Sequence, residues 1–266
     1  MCKEISPQQI AYLQKEKNKK RFIFLCQWLV LFSFLLIWEG AASFGLIDSF
    51  ITSKPSAVLK TLLSLSREGN LYYHTLITCW ETVLGFFLAS VTGILCAVIL
   101  WWSDFLAQVF DPYLVVLNAL PKIALGPLFI VWLGSGMEAI VVITVLIALI
   151  TTVLTVYTGF SQVDKNKIKL LQSFGASKWQ ILWKAVIPAN IPNIISALKI
   201  NVGLAWVGVI VGEFLVSKAG LGYLIVYGGQ VFRLDLVMAS VIVLSLAAGV
   251  MYYLLVWLER FICQER

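Results

Sequence analysis

Six apolar stretches divide this chain, at roughly Phe22 to Ala42, Thr82 to Trp102, Pro112 to Trp132, Ala139 to Thr158, Ile191 to Val211 and Leu236 to Leu258. At a rise of 1.5 Å per residue, about 20 helical residues cross the roughly 30 Å hydrocarbon core of a bilayer. Inside lipid the backbone must satisfy its own N–H and C=O groups, so stretches of this length form helices. The sequence therefore predicts an all-α membrane protein with six transmembrane helices. The sixth stretch has no charged residue between Asp235 and Glu259. The third is the least regular, because Pro121 and Pro127 interrupt its hydrogen-bond ladder. Such breaks survive only where protein or a water-lined cavity receives the freed groups. Gly85 and Gly93 offer close-packing points in the second. Only 13% of the 266 residues are charged, about half the share of a soluble domain. Six spans and short loops leave no room for a soluble catalytic domain.

The distribution of lysine and arginine sets the orientation. An even number of spans puts both termini on one side, with Lys3, Lys15, Lys17, Lys19, Lys20, Arg21, Arg260 and Arg266. The 161–190 loop adds Lys165, Lys167, Lys169, Lys178 and Lys184 to that side; the other has Lys54, Lys60, Arg67, Lys218 and Arg233. The positive-inside rule places both termini and the 161–190 loop in the cytoplasm, as in a multi-pass protein of a bacterial inner membrane. This accounts for the net charge of +6 without a nucleic-acid surface, which needs a basic face on a soluble module. Residues 1–21 read as a polar N-terminal segment, in which Ser6-Pro7-Gln8-Gln9 opens a short cytoplasmic or interfacial helix, or else a frayed tail. No small-residue cleavage site follows before Trp38-Glu39, so the first stretch reads as a retained span rather than a leader. Residues 22–266 form the transmembrane domain. Within the polar stretch 43–78, Val58, Leu59, Leu62, Leu63 and Leu65 suggest an interfacial helix. The five cysteines are scattered, with neither a disulfide framework nor metal-ligand spacing.

The 161–190 loop holds the most information. Ile168, Leu171 and Phe174 recur at helical spacing, with lysines, Asn166, Gln172 and Ser173 on the other side. Gly175 ends this short amphipathic helix, since glycine takes the left-handed end conformation without steric cost. Ser177 restarts a helix, with Gln180 completing a capping box, and the restarted helix is expected to end before Pro188. An amphipathic helix outside the membrane either fits a partner's groove or lies on anionic lipid, and the physics alone leaves both open.

Gly175 and Pro188, thirteen residues apart, resemble the cytoplasmic signature of binding-protein-dependent ABC importer permeases: Glu-Ala-Ala, three residues, Gly, nine residues, then Ile-x-Leu-Pro. Gly175-Ala176-Ser177 with Trp179, and Val186-Ile187-Pro188-Ala189, look like the nitrate/sulfonate/taurine branch. Pro55-Ser56, the run Leu120 to Leu128 and Gly220-Leu221-Gly222-Tyr223-Leu224-Ile225 extend the likeness over most of the chain from Pro55. Lys169-Leu170-Leu171 depart from the usual Glu-Ala-Ala, and Ala185 and Ile187 replace the usual Ile and Leu; the missing acid removes one expected contact with the ATPase. The resemblance implies a type I importer permease in which two subunits, expected as a homodimer, form a central pathway. Two cytoplasmic ABC ATPase subunits each accept a coupling helix, and an outer solute-binding protein delivers substrate. The coupling contact then falls on Lys169, Leu170, Leu171, Phe174, Gly175, Ala176, Ser177 and Pro188, with Leu171 and Phe174 as the apolar knob. The branch suggests small anions such as nitrate, sulfonates or taurine, although relatives also carry vitamin precursors.

Three polar or aromatic positions in the spans are candidates for the pathway. Lys122 stands between Pro121 and Gly126-Pro127, Glu213 ends the fifth span, and Trp206 lies within it. For Lys122 a structural role at the broken helix competes with substrate contact. Glu213 either lines an outer gate or meets interfacial water, and His74 and Glu81 are expected at the interface. Trp206 packs or stacks on substrate. Gly220-Leu221-Gly222-Tyr223 is no phosphate loop, because no strand precedes it and no Lys-Ser/Thr follows. The chain is expected to bind no cofactor and to rely on ATP used by its partner. An intramembrane hydrolase needs a nucleophile with a base or a metal cluster, and His74 is the sole histidine. An ion- or proton-coupled carrier calls for internal repeats and buried acidic relays that the sequence does not show. A non-transporting scaffold is a further alternative.

Overall fold

The computed structural model describes residues 7–48, 52–68 and 70–263, and among them there are helices and no strand. Helix α1 (Pro7–Ser43) joins the polar N-terminal segment to the first span without a break. The sequence reading separated the two. No glycine or proline occurs between Gln8 and Glu39, so nothing ends the helix at the polarity change. Ser6, its expected cap, lies outside the described residues. The apolar window of α1 is unburied, with Phe22, Leu29 and Leu36 all exposed. Its C-terminal end is fastened to α2 (Pro55–Arg67). Glu39 accepts hydrogen bonds from the Ser56 amide and hydroxyl, each 2.9 Å long. A carboxylate on the free N–H groups of a helix start is favoured by both hydrogen bonding and the helix dipole. This explains Pro55-Ser56: proline fits the first turn, and Ser56 offers two donors.

Helix α3 (Asn70–Trp102) starts well before the expected second span and is about 50 Å long. Helix α4 (Asp104–Ala119) is capped by Ser103, whose Oγ accepts from the Leu106 amide. A 3-10 turn (Lys122–Leu125) then leads into α5 (Gly126–Leu133), at 87° to α4. The irregular third span is thus a bent pair, broken at Pro121 as its sequence predicts. Helix α6 (Met137–Ser161) follows, then α7 (Lys165–Ser173), α8 (Lys178–Ile181), a π-helical turn (Leu182–Val186) and α9 (Ile187–Val216). Helices α10 (Leu221–Gln230) and α11 (Leu234–Cys263) complete the chain. Among the described residues five segments are long and apolar enough to cross a bilayer, six with the bent pair taken as one broken span.

The core is α6 held between α3 and α9. A Cβ on Gly85 would lie 2.5 Å from the Thr144 side chain, one on Gly93 2.8 Å from Thr152, and one on Gly208 2.6 Å from the Thr144 backbone. Without hydrophobic driving force in lipid, such close approaches supply the packing that holds helices together. Thr144 and Thr152 turn their hydroxyls back to carbonyls four residues earlier, so neither is left unpaired. Lys199 on α9 pairs with Glu259 on α11 at 2.5 Å, both partly buried. Either K199M or E259Q leaves one charge alone at depth. Each is expected to destabilise by about 2 kcal/mol, with the double change closer to wild type. Melting of the purified protein in detergent checks this; equal losses in singles and double would count against the pair.

Candidate functional site

The 161–190 loop folds as a rigid bracket. Asp164 caps α7, its side chain accepting from the Asn166 amide at 2.8 Å. At the far end the Ala176 amide reaches back to the Leu171 carbonyl and the Gly175 amide to Gln172, with Gly175 at φ +76°. This is the Schellman closure, which glycine makes at least cost. Ser177 and Gln180 form the expected capping box: the Gln180 Oε1 accepts from the Ser177 amide, and the Ser177 Oγ from the Gln180 amide. The helix does not end before Pro188, as expected from sequence; it continues through the π-helical turn into α9. The Ile187 amide bonds to the Leu182 carbonyl five residues back, and Pro188 follows directly on this widened turn, which accommodates its missing N–H.

The bracket's two faces differ. Ile168, Leu171 and Ala176 pack inward on a cluster of Ala97, Val156, Phe160, Ile181, Leu182 and Val186. Leu170 and Phe174 point outward, 57% and 79% exposed. The outward apolar pair is therefore Leu170 with Phe174, one helical turn apart, while Leu171 fastens the bracket to its own protein. Lys169 is also exposed. Leu170 was legible in the sequence as apolar, but its direction depends on which face meets the body.

At the opposite end of α3, Glu213 is buried among the helices, with 1% exposure. Its Oε1 accepts from the Thr78 hydroxyl at 2.6 Å and its Oε2 from the Gly222 amide at 2.5 Å. The Thr78 hydroxyl also accepts from the Leu221 amide, and the His74 Nδ1 from the Gly220 amide at 2.9 Å. The His74 ring stacks on Tyr223. Three polar side chains on α3 and α9, His74, Thr78 and Glu213, thus receive the start of α10. A Cβ on Gly220, where φ is +112°, would sit 2.4 Å from the Glu213 carboxyl group, so the glycines leave the room that the glutamate fills. Glu81 lies beside Glu213, also buried, with its Oε2 unpartnered among the described residues. Thr78, His74 and Glu81 gave no sequence signal of this, since they lie about 135 residues from Glu213.

Lys122 places its ammonium on the Asn118 carbonyl at 3.1 Å, capping the end of α4 at the break. Trp206 is buried, and its indole N–H finds no acceptor among the described residues. No hydrogen bond or ion pair among the described residues links these two to each other or to Glu213.

Residues 89–264 match the family of binding-protein-dependent transport system inner membrane components. The chain belongs to this family. A probable ABC transporter permease protein of Haemophilus influenzae is 32% identical over 86% of this chain and 93% of its own length. The taurine transport system permease protein TauC of Escherichia coli is 26% identical over 80% of each chain. Among solved structures, the inward-facing MetNI methionine ABC transporter matches with a TM-score of 0.52 and 19% identity, covering 66% of this chain and 93% of that one, a likeness of fold alone. The chain is thus an ABC importer permease component of the type I fold, a multi-pass membrane protein, and kin to permeases rather than to enzymes. The bracket, Glu213 and the Gly220–Gly222 turn lie within the matched region, while Glu39, His74, Thr78 and Glu81 lie outside it.

Proposed function

We propose that two copies of this chain form the substrate pathway of an ATP-driven importer, with both termini and the 161–190 bracket in the cytoplasm. The bracket docks on a separate ATPase subunit, which binds and hydrolyses the ATP; an outer solute-binding protein delivers the substrate opposite. One observation carries this reading: Leu170 and Phe174 stand exposed on a short helix whose other face, capped ends and glycine corner are rigidly fastened. A helix meant only to lie on lipid has no need of a fixed corner, whereas a helix seated in a groove presents anchors at this spacing. Lys169 beside them favours an acidic rim on the ATPase groove, in place of the contact that the family's usual glutamate makes. The unburied α1 leaves apolar surface for a second copy. The taurine-type relative supports a small sulfonate or related anion as substrate.

Co-purification of the tagged chain with candidate ATPases, followed by ATP hydrolysis and uptake in proteoliposomes, tests the reading. Stable recruitment, with hydrolysis raised by a solute-binding protein, is the expected result. A folded, inserted chain that recruits no ATPase overturns it in favour of a carrier or scaffold.

A further inference from the structure

The bracket is tied to a second span by a contact outside its docking face. Lys178, the first residue of α8, donates from Nζ to the carbonyl of Trp102 at 2.5 Å. Trp102 is the last residue of α3, so this carbonyl is one of those that a helix end leaves without an internal partner. The same ammonium lies 5.9 Å from the Trp101 ring centroid and 5.7 Å from that of Trp102. A cation is favoured both by the negative end of the helix dipole and by the indole faces. The aromatic chain goes on: Trp102 meets Trp179 edge-on at 6.1 Å, and Trp179 meets Trp183 at 5.7 Å. Under it, Ile181 and Leu182 pack with Ala97 of α3 in one buried cluster.

This arrangement gives the bracket two outlets. One is the covalent route, since α8 runs through the π-helical turn into α9. The other is the Lys178 clamp into α3, whose far half holds Thr78 and His74 against the Glu213 end of α9 and the start of α10. One continuous helix therefore joins the bracket to the polar latch, with about 36 Å of rise between Trp102 and Thr78.

We propose that Lys178 is a positioning residue for transport, clamping the bracket to the end of α3 so that its displacement reaches the Glu213 latch as well as α9. This rests on the reading that the bracket is driven by an ATPase. The contacts of Lys178 are to Trp101 and Trp102, away from the outward Leu170–Phe174 face. K178M keeps the chain's length without the charge; K178R keeps a cation that can stack on both indoles and donate to the carbonyl.

The full complex in proteoliposomes supplies one readout. K178M is expected to recruit the ATPase and hydrolyse ATP as wild type does, while substrate taken up per ATP falls at least fivefold; K178R restores it to within twofold. Uptake per ATP unchanged in K178M overturns the proposal, as does a K178R as defective as K178M. A second readout needs no ATPase: amide hydrogen exchange of the purified chain in detergent. K178M is expected to speed exchange at residues 178–186 by about tenfold without altering α6, and unchanged exchange there also overturns the clamp. A wild-type chain that recruits no ATPase defeats the proposed function, and the exchange result then decides the clamp by itself.

Discussion

The double substitution L170D/F174D is expected to abolish ATPase recruitment while leaving the protein folded. Burying a leucine or phenylalanine side chain is worth about 1.5–3 kcal/mol each, and an aspartate in an apolar groove adds a desolvation cost. Losing both anchors therefore removes about 3–6 kcal/mol of docking energy, or two to four decades in affinity. Neither side chain contributes to the chain's own core, since both are largely exposed. Pull-down of the ATPase should drop at least about 100-fold and uptake with it, at an unchanged melting temperature. The contrasting variant is L171D, which attacks the inward face and is expected to lower the melting temperature. If L170D/F174D still bound the ATPase at normal strength, the docking face would lie elsewhere.

The second large effect is expected at the Glu213 latch. E213A leaves the Gly222 amide without its acceptor and the Thr78 hydroxyl with only the more distant His74 carbonyl, and it opens a cavity between α3, α9 and α10. Each unpartnered buried donor costs about 1–3 kcal/mol, so the total is expected to reach about 3–5 kcal/mol. E213Q keeps an acceptor oxygen and should fall between alanine and wild type. G220A attacks the same contact from the other side. Its Cβ would collide with the carboxyl group, and its φ of +112° is a conformation that side-chain-bearing residues rarely adopt. It should be at least as damaging as E213A, and combining the two should cost less than their sum, because removing the carboxylate frees the room the new Cβ needs. Thermal melting and hydrogen exchange at residues 220–222 measure this; an E213A protein as stable as wild type would show that the bonds seen here hold nothing in place.

The spans and the corner at Gly175 were legible because each follows from a local rule. Twenty apolar residues in succession have one backbone solution in lipid, and a left-handed helix end after Ser173-Phe174 calls for glycine. The prolines at 121 and 127 announced the bent third span for the same reason. Pro188 misled, because a proline ends a helix only when the turn before it cannot widen, and here a π-helical turn absorbs the missing donor.

What the sequence by itself determined was the membrane-spanning, all-helical character, the break in the third span and the capped, glycine-hinged bracket. Only the tertiary structure decided which side of that bracket is free. Leu170 and Leu171 are adjacent and equally apolar, and it is contact with the ends of α3 and α6 that turns one inward and leaves the other out. The same holds for Glu213, an acid at the end of an apolar run that a linear reading leaves at an outer gate or in interfacial water. Its burial depends on donors from Thr78 and Gly222 meeting it in space, and burying a polar group is favourable only once such partners are in place.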